Sequence, residues 1–156
     1  DSSKAIMILM MLIGGSPGST AGGMKTTTIA VLILNAFATF GREAETEVFG
    51  RRFDNTVVKN AATIAILYFF LFFAGGIAIS QIEHVALSDC LFETASAVGT
   101  AGLTLGITTE LGLVSHLILV VLMYLGRVGG LTLIYAAISV KIQSGAKRPL
   151  DKITVG

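Results

Sequence analysis

Hydrophobic residues along this chain come in long blocks, and the polar residues collect in the gaps between them. Ala5 to Met24 and Thr26 to Gly41 form one apolar zone, split by Lys25 and by the small-residue stretch Gly14–Gly23. Asn60 to Ile82 carries no formal charge, and Leu111 to Val140 carries one, Arg127. A helix needs about 20 apolar residues to cross a hydrocarbon core, so each of the last two runs is long enough. One such run could be the core helix of a soluble domain. Three apolar zones in a chain this short predict an all-α integral membrane protein. Composition agrees: hydrophobic residues make up 53% and charged residues 13%, against about 25% charged in globular chains, and mean hydropathy is +0.81. A net charge of +1 offers no field for nucleic acid or an acidic substrate. The single cysteine, Cys90, excludes an internal disulfide. The chain opens on Asp1-Ser2-Ser3 without an initiator Met, and so reads as part of a longer or processed polypeptide.

Charge placement predicts the topology. Arg42, Arg51, Arg52 and Lys59 precede the Asn60 run, and Lys141, Lys147, Arg148 and Lys152 follow the last one, whereas 81–110 has no Lys or Arg. Positive charge stays cytoplasmic, so 42–59 and the C-terminus are expected inside and 81–110 outside, in a multi-pass protein of the cell membrane.

The outer segment is more than a hairpin. In "SDCLFETASAVG", Ser88 is a candidate N-cap and Asp89 suits the first turn, with helix-compatible residues up to Val98. A helix of that length covers about 15 Å, half a bilayer, and the Gly-rich "GTAGLTLG" follows it directly. Span, half-helix, extended Gly-containing loop and span are the layout of a re-entrant pore loop. Irregular backbone is tolerated at membrane depth only where it lines water or lies within protein. Inward-turned carbonyls can replace the hydration shell of a cation, and turning them requires a residue without a Cβ in the middle. Gly102 is that residue, flanked by Thr100, Ala101 and Leu103. The carboxyl end of the half-helix favours a cation there, and Glu83, Asp89, Glu93 and Glu110 add acidic charge on the outer side. The competing reading is that these small residues only let helices approach closely.

"FETASAVGTAGLTLG" (Phe92–Gly106), followed by "LGRVGGLTLIYA" (Leu125–Ala136), resembles the last repeat of the Trk/Ktr/HKT superfamily of K+ transporters. "IGGSPGSTAGGMKT" resembles the intramembrane loop of that family's third repeat, and "KRPLDKITVG" is most similar to the Ktr branch. The resemblance implies four repeats of span, pore helix, filter loop and span in a full-length member. This chain would then hold the second span of one repeat over 1–41, a cytoplasmic linker over 42–60, a complete repeat over 61–140 and a cytoplasmic tail over 141–156. It further implies K+ as the transported ion, no bound organic cofactor, and the remaining repeats of the same protein as partners. A cytoplasmic ring of nucleotide-binding regulatory subunits (KtrA/TrkA-like) and a homodimer are implied as well, in contact with membrane lipid and not with nucleic acid. A non-conducting membrane scaffold is the alternative, because one filter loop supplies only a quarter of a ring.

By resemblance, Gly14, Gly15, Ser16, Pro17, Gly18, Ser19, Thr20, Ala21, Gly22 and Gly23 form a gate loop that interrupts the helix and plugs the cavity below the filter. Pro17 removes a backbone donor and would break the helix. "GSTAGGMKT" approaches the phosphate-binding pattern GxxxxGK[ST], but Met24 separates Gly23 from Lys25 and the preceding run is helical. The resemblance places an arginine at the motif position of Arg127, close to the gate loop, so Arg127 is expected to be the gate latch. A guanidinium near mid-membrane costs about 2.5–3.5 kcal/mol, and the carbonyls freed in the Gly14–Gly23 loop are its natural acceptors. Otherwise it snorkels from the end of a span over Leu111–Gly126. His84 and His116 stand alone, Cys90 reads as packing, and Tyr68, Phe69, Phe70, Phe72 and Phe73 as facing lipid or neighbouring helices. No acid–base pair, nucleophile triad or metal cluster suggests catalysis.

Overall fold

A computed structural model describes residues 2–41, 47–48, 51–52, 54–129 and 132. The cytoplasmic tail expected over 141–156, most of the basic linker, and the last apolar run beyond Gly129 except Thr132 lie outside the described residues. The helices are α1 (Ser2–Ile13), α2 (Thr26–Phe40), α3 (Asn55–Glu83), α4 (Leu87–Gly99) and α5 (Leu113–Val128), with one 3-10 turn at Ile107–Glu110. The strands described are β1 (Glu47–Val48) and β2 (Arg51–Arg52), an antiparallel pair with Glu47 opposite Arg52. The fold is thus helical, with one long apolar helix and several shorter ones, consistent with a membrane protein.

The long helix is α3, whose 29 residues extend about 43 Å at 1.5 Å each. Among the described residues it alone is long and apolar enough to cross a membrane unaided. It starts at Asn55, ahead of the charge-free run, because Asp54 caps it. One carboxylate oxygen of Asp54 accepts the Thr56 N–H at 3.2 Å and the other accepts the Thr56 hydroxyl at 3.0 Å. Its end is set by His84, in the left-handed region at φ 56°. Tyr68 and Phe72, four apart and so on one face, are buried; Phe69, Phe70 and Phe73 are exposed.

The short helix α4 is the hub. Its 13 residues cover about 20 Å, and α1, α3 and α5 all pack on it. Every residue from Phe92 to Gly99 is buried. Ser88 does not cap it: Ala86 holds that place, its carbonyl accepting from the Asp89 and Cys90 amides at 3.0 and 3.2 Å. The Ser88 hydroxyl turns to Asp89 instead, at 3.3 Å.

Helices in lipid gain little from hiding apolar surface, so close backbone approach and dispersion contacts hold them together. That approach is extreme at the last turn of α4. A Cβ on Gly126 would stand 2.1 Å from the Val98 carbonyl oxygen, and one on Gly99 would stand 2.3 Å from that of Met11. Both obstacles are backbone atoms and cannot turn aside. At Gly76 the obstacle, Leu91 Cδ2 at 2.5 Å, is the end of a flexible side chain. Gly126→Ala is therefore expected to destabilise the detergent-solubilised transporter by about 3 kcal/mol, the upper range of overpacking. Gly76→Ala should cost under about 1 kcal/mol, since the helix propensity of Ala offsets part of the strain. Equal thermal unfolding midpoints for the two variants would refute this ranking.

Candidate functional site

Two loops meet at the carboxyl end of α4. The first is the Gly-rich connection between α1 and α2. Helix α1 stops at Ile13 because Gly14 takes φ +69°, a left-handed cap open to glycine, and its amide still reaches the Met10 carbonyl at 3.3 Å. The break therefore precedes Pro17. Pro17 instead occupies the second position of a tight turn closed by the Ser19 amide on the Ser16 carbonyl at 3.0 Å. The base of the loop is tied by the Thr26 amide on the Gly15 carbonyl at 3.2 Å. Residues 16–20 are exposed, while Gly22, Gly23 and Met24 are buried.

The second loop continues from α4. Thr100 has φ 51° and ψ 36°, an uncommon place for a β-branched residue. The helix end imposes it: the Thr100 amide donates to the Ala97 carbonyl at 3.1 Å and the Ala101 amide to that of Ser96 at 2.9 Å, the paired bonds of a Schellman motif. Gly102 follows at φ +74°, which a side chain resists. Ser96 Oγ accepts the Leu103 amide at 2.9 Å. Residues 101–106 are exposed. Two clefts flank them, of about 640 and 470 Å³, and Thr100, Leu103 and Arg127 line both.

Between the two loops runs a set of hydrogen bonds. The Gly22 amide donates to Thr100 Oγ1 at 2.7 Å. The Gly23 amide donates to the Gly126 carbonyl at 3.2 Å, which also accepts the buried Tyr68 hydroxyl at 3.3 Å. Arg127 Nη1 donates to the Thr20 carbonyl at 2.5 Å. Arg127 sits in the last turn of α5, which ends at Val128 with Gly129 as its cap. A cation is favoured at such an end by the helix dipole. The guanidinium is exposed in this chain, yet it turns to the Gly-rich loop.

The acidic residues have more specific tasks than a diffuse outer charge. Glu83 Oε1 accepts the Gly112 amide at 2.8 Å and the Ser115 hydroxyl at 2.5 Å, tying the end of α3 to the start of α5. Asp89 pairs with Lys4 at 2.7 Å, and the hydrogen bond from that ammonium holds its carboxyl below the usual carboxylate range. Glu93 is buried and accepts from the loop beyond Gly102. Sequence reasoning passed over Ser96, read Glu93 only as outer charge and Tyr68 only as facing lipid or neighbouring helices. The signal for the first two was their i, i+3 spacing on one helix face just before a loop rich in Thr; Tyr68, within an aromatic run, had none.

A helical fold with one long apolar helix and a short buried helix ending in an exposed, glycine-containing loop is consistent with a membrane protein. A family model described as Cation transport protein (TrkH) matches residues 1–146, and the chain belongs to this family of cation transporters, which are not enzymes. It is 34% identical to the potassium/sodium uptake protein NtpJ of Enterococcus hirae, over 97% of this chain and 35% of that protein. It is 33% identical to the Ktr system potassium uptake protein B of Bacillus subtilis, over 100% of this chain and 35% of the relative. With the protein of that name from Vibrio alginolyticus it shares 39% over 83% of this chain and 29% of the relative. The chain spans about a third of the length of these curated relatives.

The Thr100 contact can be tested without changing side-chain shape. Met24, which directly follows Gly23 at the end of the docked loop, is packed in the core at 1% exposure, so a Met24→Cys reporter in the transporter is expected to react with a thiol reagent only when the loop lifts. Adding Thr100→Val removes the acceptor for Gly22 and should raise the labelling rate about three- to tenfold, the worth of one ordinary hydrogen bond. An unchanged rate would mean that the hydroxyl does not hold the loop.

Proposed function

We propose that this chain supplies one filter loop and the gate of a K+ uptake subunit in the cell membrane. The observation that carries the reading is the direct hydrogen bonding of the Gly-rich loop to the end of α4, at Thr100, Gly126 and Arg127. The backbone carbonyls of Thr100, Ala101, Gly102 and Leu103 form one side of a ring that replaces the hydration shell of the ion. The remaining repeats of the polypeptide complete the ring and fill the two clefts. The uptake functions in the names of the relatives support K+ as cargo. Residues 1–41 act as a broken span, 61–140 as a full repeat, and the basic segments 42–60 and 141–156 face the cytoplasm. There they meet a nucleotide-binding regulatory ring, in a dimeric assembly.

In this reading Gly14–Gly23 is the plug, and Arg127 is the latch that holds it through Thr20. The base test is K+ uptake by the whole transporter in a cell deficient in K+ uptake. A scaffold without conduction would restore no growth at low K+.

Gly102→Ser should weaken discrimination between K+ and Na+, because at φ +74° a Cβ forces the backbone to move. Unchanged relative uptake affinities would remove Gly102 from the filter.

Removing part of Gly14–Gly23 should raise K+ flux and lessen its dependence on the regulatory ring. Arg127→Ala should raise flux about ten- to a hundredfold, the loss of a charge-assisted hydrogen bond of roughly 1.5–3 kcal/mol. Combined with the loop deletion it should add little, since the latch then has nothing to hold. If Arg127 were instead an electrostatic barrier to cations, the two effects would multiply. Lower flux from the loop deletion at normal expression would mean that the loop supports the pore.

A further inference from the structure

The buried carboxylate of Glu93 stands apart from the other acids of the chain. It lies on α4 at 4% exposure, and among the described residues no Lys, Arg or His stands within salt-bridge distance of it. Its neighbours are instead donors from the loop. Oε1 accepts the Thr104 hydroxyl at 2.7 Å and the Leu105 amide at 2.9 Å, and Oε2 accepts the Thr108 hydroxyl at 2.7 Å. Thr104 passes the order on, its Oγ1 accepting the Gly106 amide at 2.9 Å and lying 2.7 Å from Thr108 Oγ1. Ser96, three residues further along α4 and so on the same face, holds the start of the loop. Its carbonyl takes the Ala101 amide and its Oγ the Leu103 amide, both at 2.9 Å.

We infer that Glu93 is a positioning residue for ion selectivity, setting the shape of the loop around Gly102 through its hydrogen bonds rather than through its charge. The inference rests on the proposed filter reading of 100–103. A loop exposed over 101–106 has no packed core to hold it, and carbonyls that select between ions must be fixed. Glu93 and Ser96 grip it on both sides of Gly102 from one rigid helix, leaving its exposed side to the ion path. A carboxylate suits the task because it only accepts, so both oxygens can serve N–H and O–H donors. An amide in its place turns one acceptor into a donor: set at the Oε1 side it leaves the Leu105 amide unpaired, and set at the Oε2 side it forces the Thr108 hydroxyl to accept instead of donate, and in both cases the charge-assisted bonds become weaker neutral ones.

The test compares variants of the whole transporter in uptake-deficient cells, reading surface expression, maximal K+ uptake rate and the ratio of K+ to Na+ half-saturation constants. Glu93→Gln keeps the shape and removes the charge. Thr104→Val with Thr108→Val keeps the charge and removes two donors. Both are expected to lower K+/Na+ discrimination by about tenfold or more, with surface expression within about twofold of the parent. Loss of discrimination in Glu93→Gln alone, with the Thr double variant unchanged, would overturn the inference in favour of a charge effect. Reduced expression with parental discrimination in the surviving molecules would overturn it in favour of a purely structural role. Gly102→Ser in the same series separates the two levels. If it too leaves discrimination intact, the filter reading fails. If it alone changes discrimination, the filter stands and the role given to Glu93 falls.

Discussion

Two stretches of backbone touch the last turn of α4 with no space for a methyl group between them. α5 approaches at Gly126 so closely that a Cβ would lie 2.1 Å from the Val98 carbonyl oxygen. α1 supplies the Met11 carbonyl, 2.3 Å from where a Cβ on Gly99 would be. In a bilayer this contact replaces the hydrophobic drive that holds soluble cores together. It also fixes where everything else goes. With α1 and α5 pinned to one point, the chain leaving α1 has to pass beneath the end of α4. The Gly126 carbonyl lies beside it, ready to accept from Gly23 and from Tyr68.

The end of α4 faces two loops with different chemistry. Toward the loop 101–108 it presents acceptors on side chains, Ser96 and Glu93, that take up backbone amides and threonine hydroxyls. Toward the Gly-rich loop it presents Thr100, whose hydroxyl takes the Gly22 amide. Thr100 belongs to both sides, since its left-handed backbone closes the helix and starts the second loop. A β-branched residue at such dihedrals carries strain that its surroundings must sustain. The Gly-rich loop is therefore bonded directly to the residue from which the other loop departs, without an intervening chain of side chains.

The block pattern of apolar residues made the helices legible, and the small-residue stretches at 14–23 and 99–106 marked the two loops. What sequence could not supply were the bonds between them. Gly22 and Thr100 are 78 residues apart, and Thr20 and Arg127 are 107 apart; no local period encodes such pairs. Arg127 stands in the last turn of α5, where its guanidinium reaches the Thr20 carbonyl of the Gly-rich loop; the rest of the span expected up to Val140 lies outside the described residues but for Thr132. The acids were read as one field because charge counts ignore geometry. Their partners, Lys4 for Asp89, Ser115 for Glu83 and the Thr-rich loop for Glu93, give each its own structural task. Pro17 misled for a similar reason: Gly14 had already ended the helix, and proline served the turn that followed.

The central claim is that the Gly-rich loop docks on the end of α4 through the amides of Gly22 and Gly23, and that this docking is the closed state. Amide hydrogen exchange reads those two bonds directly, since a bonded and buried N–H exchanges only through opening. On this claim, in the non-conducting transporter the segment 22–24 should be protected relative to the exposed 16–20, and protection should fall when the transporter conducts. Rapid exchange at 22–24 in the closed state, or protection that persists unchanged in the conducting state, would contradict the account.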